Sequence, residues 1–280
     1  MLVNLGEILD MAEKGGFAVP AIAARCGKRG ERCPDGMADR TSANRHRPVI
    51  IQSYSRLFTN EEGYYVAPMV LAAAAKASVP ICFHLDHGAG KTEATRALRW
   101  GATGIMIDKS ACDMDENIAY TKDIVEMCSA VGIPVEGEIG HVGSVNDDSM
   151  GEFTTVQEAK TYVDATGVNA LAILVGTAHG RYKKAPKLDI QRIADIHSAV
   201  DAHLVLHGGS GVPDDQIQAA VKAGIRKINF GTDVCYSFLD QVFATSRDLV
   251  AIDLFMKDAV ANVKKFGLEK IRLLGAENKA

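Results

Sequence analysis

The feature that most constrains this chain is an eightfold alternation of short β-rich runs with stretches of helical apolar spacing. The runs fall at residues 17–22, 49–53, 80–85, 104–108, 134–139, 170–175, 203–206 and 225–230. Between them, segments such as 65–77, 116–131, 156–166 and 189–200 carry apolar residues at the i, i+3, i+4 spacing of an amphipathic helix. Pro213 and Asp214 mark the start of another helix over 216–223. Strands that alternate with crossover helices are parallel, and nearly continuous apolar strands are buried on both faces. Eight such units predict closure into a (β/α)₈ TIM barrel. The 280 residues suit one such domain, which typically needs ~250. No linker or low-complexity stretch divides 1–280, so one domain is expected, with a helical stretch over 237–274 closing the chain.

The polar residues gather where strands end: Asp86 and His87, Asp108, Glu138, His179 and His207, with Asn229 inside the last strand. Active sites of this architecture are assembled at that C-terminal rim. A single histidine beside a buried strand is ordinarily a hydrogen-bonded core residue. Three of them, after strands three, six and seven, form the donor set of a catalytic zinc site with an open position. Glycines follow each one (Gly88, Gly180, Gly208), allowing sharp turns and close approach of a ligand to the backbone. His84 and His203 read as structural, His203 at the opposite end of the barrel.

The balance of 47% hydrophobic and 24% charged residues is that of an ordinary globular protein. A formal charge of −4 gives no reason to expect nucleic acid or an anionic membrane as partner, so an anionic ligand has to be caught by local donors. The first sixteen residues carry acids where a signal peptide needs a basic flank. No apolar run approaches the ~20 residues of a membrane span. Six scattered cysteines without a CxxC pair read as thiols of a reducing compartment, and the expected location is the cytoplasm.

Five segments in barrel order, HLDHG (84–88), VEGEIG (135–140), GTAHGRYK (176–183), LHGGSG (206–211) and KINFGTD (227–233), resemble class II ketose-bisphosphate aldolases acting on fructose or tagatose bisphosphate. The resemblance runs from about Pro48 to the C-terminus, with a further match in the first twenty residues. It implies reversible aldol cleavage of a ketose 1,6-bisphosphate to dihydroxyacetone phosphate and glyceraldehyde 3-phosphate. His87, His179 and His207 match the ligands of one Zn²⁺ per subunit, for which a monovalent cation is a further candidate companion. Asp86 matches the carboxylate that exchanges a proton with the substrate C4 hydroxyl; its plain alternative is to orient a ligand ring. Asp108 and Glu138 match acids near a second, more buried metal position, or else pair with each other at the rim. Lys183 matches a phosphate-contacting lysine and Ser53 a substrate-side serine. Gly180, Gly208, Gly209, Ser210, Asn229, Gly231 and Thr232 follow strands six to eight, where barrels commonly hold phosphate. A homodimer or homotetramer is implied, with the last helical stretch as contact surface.

Two segments depart from the family pattern. At 21–47 an asparagine position reads Ala23, and the segment carries six arginines, three glycines and two cysteines without a helical stripe. Natural divergence and a shifted reading frame both account for this. In the loop after strand five, alignment at Gly143 puts Asn146 where the family has a glutamate that moves a proton, and an amide is no base. Asp147 or Asp148 serves only if the loop is shifted. Lys109 also replaces a common glycine. These departures leave open a metal-binding but weakly active barrel, used as a phosphosugar-binding or accessory subunit. A metal-dependent hydrolase is the third reading.

Overall fold

The computed structural model describes residues 1–24, 47–60, 62–145 and 152–279. Eight parallel strands close a barrel in sequence order: β1 (Val19–Ala23), β2 (Val49–Tyr54), β3 (Ile81–Gly88), β4 (Gly104–Ile107), β5 (Val135–Ile139), β6 (Ala170–Ile173), β7 (His203–Leu206) and β8 (Ile225–Phe230), with β8 returning to β1. This is the TIM barrel expected from the alternation. The helices that follow strands include α3 (Glu62–Lys76), α4 (Lys91–Arg99), α5 (Met114–Ser129), α6 (Val156–Thr166), α7 (Ile190–Ala199) and α8 (Asp214–Ala223), after the short α2 (Ser55–Thr59). The expected helical tail is two helices, α9 (Thr232–Ala244) and α10 (Ile252–Leu273), joined by an exposed apolar turn that includes Val250. The arginine-rich part of the first departure, residues 25–46, lies outside the described residues. Among the described residues no helix is long and apolar enough to cross a membrane.

Two apolar layers follow from strand alternation, since successive side chains of a strand point to opposite faces. Val49, Phe83, Ile105, Ile107, Leu171 and Leu204 face outward and meet the helices. Val19, Ala21, Ile50, Cys82, Ala170, Ala172 and Val205 face the axis. The inner layer is capped by α1 (Leu5–Gly15), whose Leu5, Ile8, Leu9 and Ala12 lie on one stripe and are buried against it. Helix α1 starts at Asn4, which forms a reciprocal capping box with Glu7, and stops at Gly16 in the left-handed region. Below this end, Glu13 binds Arg226 of β8 at 2.7 Å and His203 binds Asp10 at 3.0 Å, as befits a residue remote from the rim.

Alanines at inward positions of β1 and β6 leave room along the axis. Larger polar side chains occupy it: His84 of β3, Glu136 of β5 and Lys227 of β8, all fully buried. They form the floor of the site at the open end.

Candidate active site

The rim begins with a local break in β3. Asp86 points to the axis, so regular alternation would send His87 outward. A register shift between Leu85 and Gly88 intervenes, and His87 takes a left-handed conformation (φ 50°) that is uncommon outside glycine. Its backbone N–H meets the Met106 sulfur at 3.4 Å, and its ring reaches the mouth beside Asp86. The glycines after β6 and β7 work in the same way. Gly208 (φ 67°) packs so tightly that a Cβ would stand 2.5 Å from the Ala178 carbonyl oxygen. The Tyr182 hydroxyl accepts from Ala178 N–H at 2.7 Å and lies within 3.0 Å of the Gly208 carbonyl, binding the two histidine-bearing loops together.

These turns bring the rings of His87, His179 and His207 together, with centroids 4.8–5.9 Å apart. One ligand nitrogen from each lies within 4.8 Å of the others. Neighbours engage the remaining nitrogens. His87 Nδ1 is 2.7 Å from Asp108, and His207 Nε2 is 2.9 Å from Glu136. This leaves His87 Nε2 and His207 Nδ1 facing each other at 3.2 Å. Two nitrogens at about 2.0–2.1 Å from one tetrahedral zinc ion stand about that far apart. His179 Nε2 is buried without a hydrogen-bond partner among the described residues. Carboxylate-oriented imidazoles and one orphaned nitrogen aimed at a common point fit a divalent metal.

The electrostatics agree. Burial lowers the basicity of His179, and the His207 and His87 charges lower it further, to about 3. Burial also lowers His207. For His87 burial acts downward, but Asp86, the Asp108 hydrogen bond and Glu138 overcome it and raise the ring to about 9. Burial and the adjacent Asp108 push Glu138 up to about 8. Asp108 itself is held well below the usual carboxylate range, because its bond to His87 outweighs its burial. His87, Asp108 and Glu138 make a second compatible donor group, sharing His87 with the first. Glu138 Oε2 is buried without a hydrogen bond among the described residues and stands 3.5 Å from His207 Nδ1, while Ser110 Oγ bridges Asp108, Glu138 and His141 at 2.7, 3.1 and 3.0 Å.

Asp86 is buried and gripped from two sides, accepting from Gln52 Nε2 at 3.0 Å and Asn229 Nδ2 at 3.1 Å. Burial raises its pKa, yet the positive charges of His87, His207 and Lys227 prevail and hold it below its ordinary value. Asn229, expected on the phosphate side, therefore serves as a support for Asp86.

Other expected residues are distributed less uniformly. Ser53 does not join the mouth: Gln52 and Tyr54 take the inward positions of β2, so alternation puts Ser53 on the helix side with Val49 and Ile51. The Tyr54 ring instead stands 5.6 Å from that of His87. Gly209 N–H donates to the Asn229 carbonyl oxygen at 3.1 Å. Ser210 Oγ accepts from Asp233 N–H at 3.1 Å, joining the β7 loop to the start of α9, where Gly231 and Thr232 sit. Gly180 follows His179 at φ 120°, and Lys183 is exposed on the wall of an adjoining cavity of about 840 Å³. Arg181 stacks over Tyr236 of α9 at 4.9 Å. Asn146, Asp147 and Asp148 lie outside the described residues. Glu136, Lys227 and Gln52 are the site residues that the motif reading passed over.

A closed barrel with three converging histidines and a buried, hydrogen-bonded aspartate at its C-terminal rim has the donor set of a metal-binding barrel site. Similarity to known proteins makes that reading specific. The family model described as fructose-bisphosphate aldolase class-II matches residues 3–279, and the chain belongs to that family. It is similar to the YdjI aldolase from Escherichia coli K12, at 30% identity and a TM-score of 0.86 over 99% of this chain and 98% of that one. A putative fructose-1,6-biphosphate aldolase from Coccidioides immitis is 26% identical with a TM-score of 0.82, covering 98% and 96%. A fructose-bisphosphate aldolase from Campylobacter jejuni, 20% identical with a TM-score of 0.78 over 100% and 97%, shares the fold.

Proposed function

We propose that this protein is a zinc-dependent aldolase that reversibly cleaves a ketose 1,6-bisphosphate of the fructose or tagatose type. The products are dihydroxyacetone phosphate and glyceraldehyde 3-phosphate. The observation that carries the reading is the set of ring nitrogens of His87, His179 and His207 left facing one another beside Asp86. A divalent cation held by these three supplies a Lewis acid for the substrate ketone.

The chain's own groups account for the proton and for orientation. Asp86 stays ionised at neutral pH and, fixed by Gln52 and Asn229, can take the proton of the C4 hydroxyl as the C3–C4 bond breaks. In the condensation direction it returns that proton. Asp108 and Glu136 orient the rings of His87 and His207 so that the other nitrogen of each faces the position proposed for the ion. Lys183 and the start of α9 are the donors proposed for phosphate, since a helix N-terminus attracts anions. Lys227 does not suit a Schiff base, being fully buried and bound to both oxygens of Glu136.

The test is a coupled assay of triose phosphate release from fructose and tagatose 1,6-bisphosphates. Activity should vanish with chelator and return with zinc or cobalt, and borohydride with substrate should trap no lysine. Triose phosphate release that survives His207→Ala would refute the metal reading. A folded protein holding stoichiometric zinc without turnover would favour the phosphosugar-binding alternative raised by Asn146.

A further inference from the structure

Below the three histidines lies a charged group in the barrel interior. Lys227 Nζ of β8 contacts both oxygens of Glu136 of β5, at 3.0 and 2.8 Å, and neither side chain is exposed at all. Glu136 Oε1 also meets His207 Nε2 at 2.9 Å, and Oε2 lies 3.3 Å from His84 Nε2. The register makes this arrangement compulsory: Val205 pairs with Lys227, Ala172 with Val205, and Glu138 with Ala172, so Glu136 and Lys227 face the axis across the small side chains of β6. A buried ion pair is weak evidence for stability, because desolvation offsets its Coulomb energy. Its geometry toward His207 supplies another reason for its presence.

We infer that Lys227 is a positioning residue for the metal centre: it pins the Glu136 carboxylate in the barrel so that Glu136 fixes His207 as the Nε2–H tautomer, leaving Nδ1 for the ion. This inference rests on the metal-site reading proposed above. The Asn229 amide, 3.2 Å from the same nitrogen, also presents a donor. The ring nitrogen can donate to only one acceptor here, and that acceptor is Glu136. Without the lysine, the carboxylate loses a contact on each oxygen and keeps, among the described residues, the imidazole contacts of His207 and His84. A glutamine at position 136 offers an oxygen or an NH₂ to His207 and so no longer selects a tautomer. The lysine thus acts through two intermediaries and touches neither metal nor substrate.

The experiment compares wild type with Lys227→Met, Glu136→Gln and the double variant in the full-length protein, with Co²⁺ as the probe. Three quantities are read: Co²⁺ affinity by competition with a chromophoric chelator, the His207 tautomer by ¹⁵N NMR of metal-free protein, and thermal stability. Each single variant should bind Co²⁺ about 10–100-fold more weakly. The wild type should show the Nε2–H form of His207, and the variants a mixture. The double variant, which has no buried charge to compensate, keeps the test valid should a single variant fail to fold. It should regain thermal stability while remaining weak in Co²⁺ binding and mixed in tautomer. A double variant with wild-type affinity and a pure Nε2–H form would overturn the inference, as would affinity that simply tracks stability across the set. A wild type that takes up no Co²⁺ would defeat the metal reading, and the tautomer signal, read without metal, would still decide this one.

Discussion

Gly208→Ala tests how closely the β6 and β7 loops are set. Gly208 occupies the left-handed region at φ 67°. A side chain in that region costs about 1–2 kcal/mol. The added methyl would also stand 2.5 Å from the carbonyl oxygen of Ala178 and 2.9 Å from its carbon. That obstacle is backbone, tied to Tyr182 and one residue from His179, so it cannot swing aside as a side-chain tip would. Forced overlap of this kind adds about 1–3 kcal/mol. Loss of glycine's freedom in the unfolded chain returns about 0.4–1 kcal/mol. The net loss is about 1–5 kcal/mol, which at roughly 2–4 °C per kcal/mol lowers the melting temperature by at least ~2 °C. Because the strain spreads the loops bearing His179 and His207, metal affinity should fall as well. Circular dichroism melts and Co²⁺ titration read the two effects. Gly231→Ala is the control for stability, since a Cβ there meets nothing within 4 Å. A Gly208→Ala protein that melts with wild type and binds Co²⁺ as tightly would refute the argument from loop packing.

Metal uptake should depend on pH in a defined direction. His87 is raised to about 9 in the metal-free protein and must lose its proton to ligate, whereas His179, at about 3, is already neutral. Calorimetry in buffers of different ionisation enthalpy should therefore show about one proton released per ion near neutral pH, and release fading above about pH 9. Folding of the metal-free protein depends on pH in the opposite sense. His87 rises from 6.5 in the unfolded chain to about 9, so its contribution to stability is full below pH 6.5 and is lost as pH climbs through 9. Chemical denaturation of metal-free protein across that interval checks it. Among the cysteines, burial pushes Cys82 up to about 12 and Cys128 up to about 11, so alkylation mapped by mass spectrometry should leave both unmodified until the barrel unfolds. Self-association, expected from the family resemblance, has an exposed apolar surface available on α9 and the turn beyond it. Aspartates at Phe243 and Val250, which are 82% and 87% exposed, should lower the mass seen by light scattering and leave the melting temperature unchanged.

The strand-helix rhythm made the barrel legible because parallel strands buried on both faces write a long, simple pattern. The three histidines were legible for a related reason, each standing at a strand end beside a glycine. Glu136 and Lys227 were equally visible in principle. In a buried strand, polar residues two apart face the same way, so Glu136 accompanies Glu138, Lys227 accompanies Asn229, and His84 accompanies Asp86. Three such pairs aimed at one axis have to satisfy one another. The same rule would have set Ser53 on the outer face. What the rule cannot supply is His87: alternation sends it away from the site, and only the register shift in β3 turns it back. Such a break depends on how His87 and Gly88 pack against Met106 and Ile107 of β4, which no pattern within β3 records.

Helix α1 gives the barrel a direction of traffic. With Leu5, Ile8 and Leu9 stoppering the N-terminal end, the way left open to the inner layer among the described residues runs past the histidines. Anything that closes over the mouth then isolates the whole interior at once, so occupancy of the site should slow hydrogen exchange at the inner ends of β5 and β8, far from any contact with the ligand.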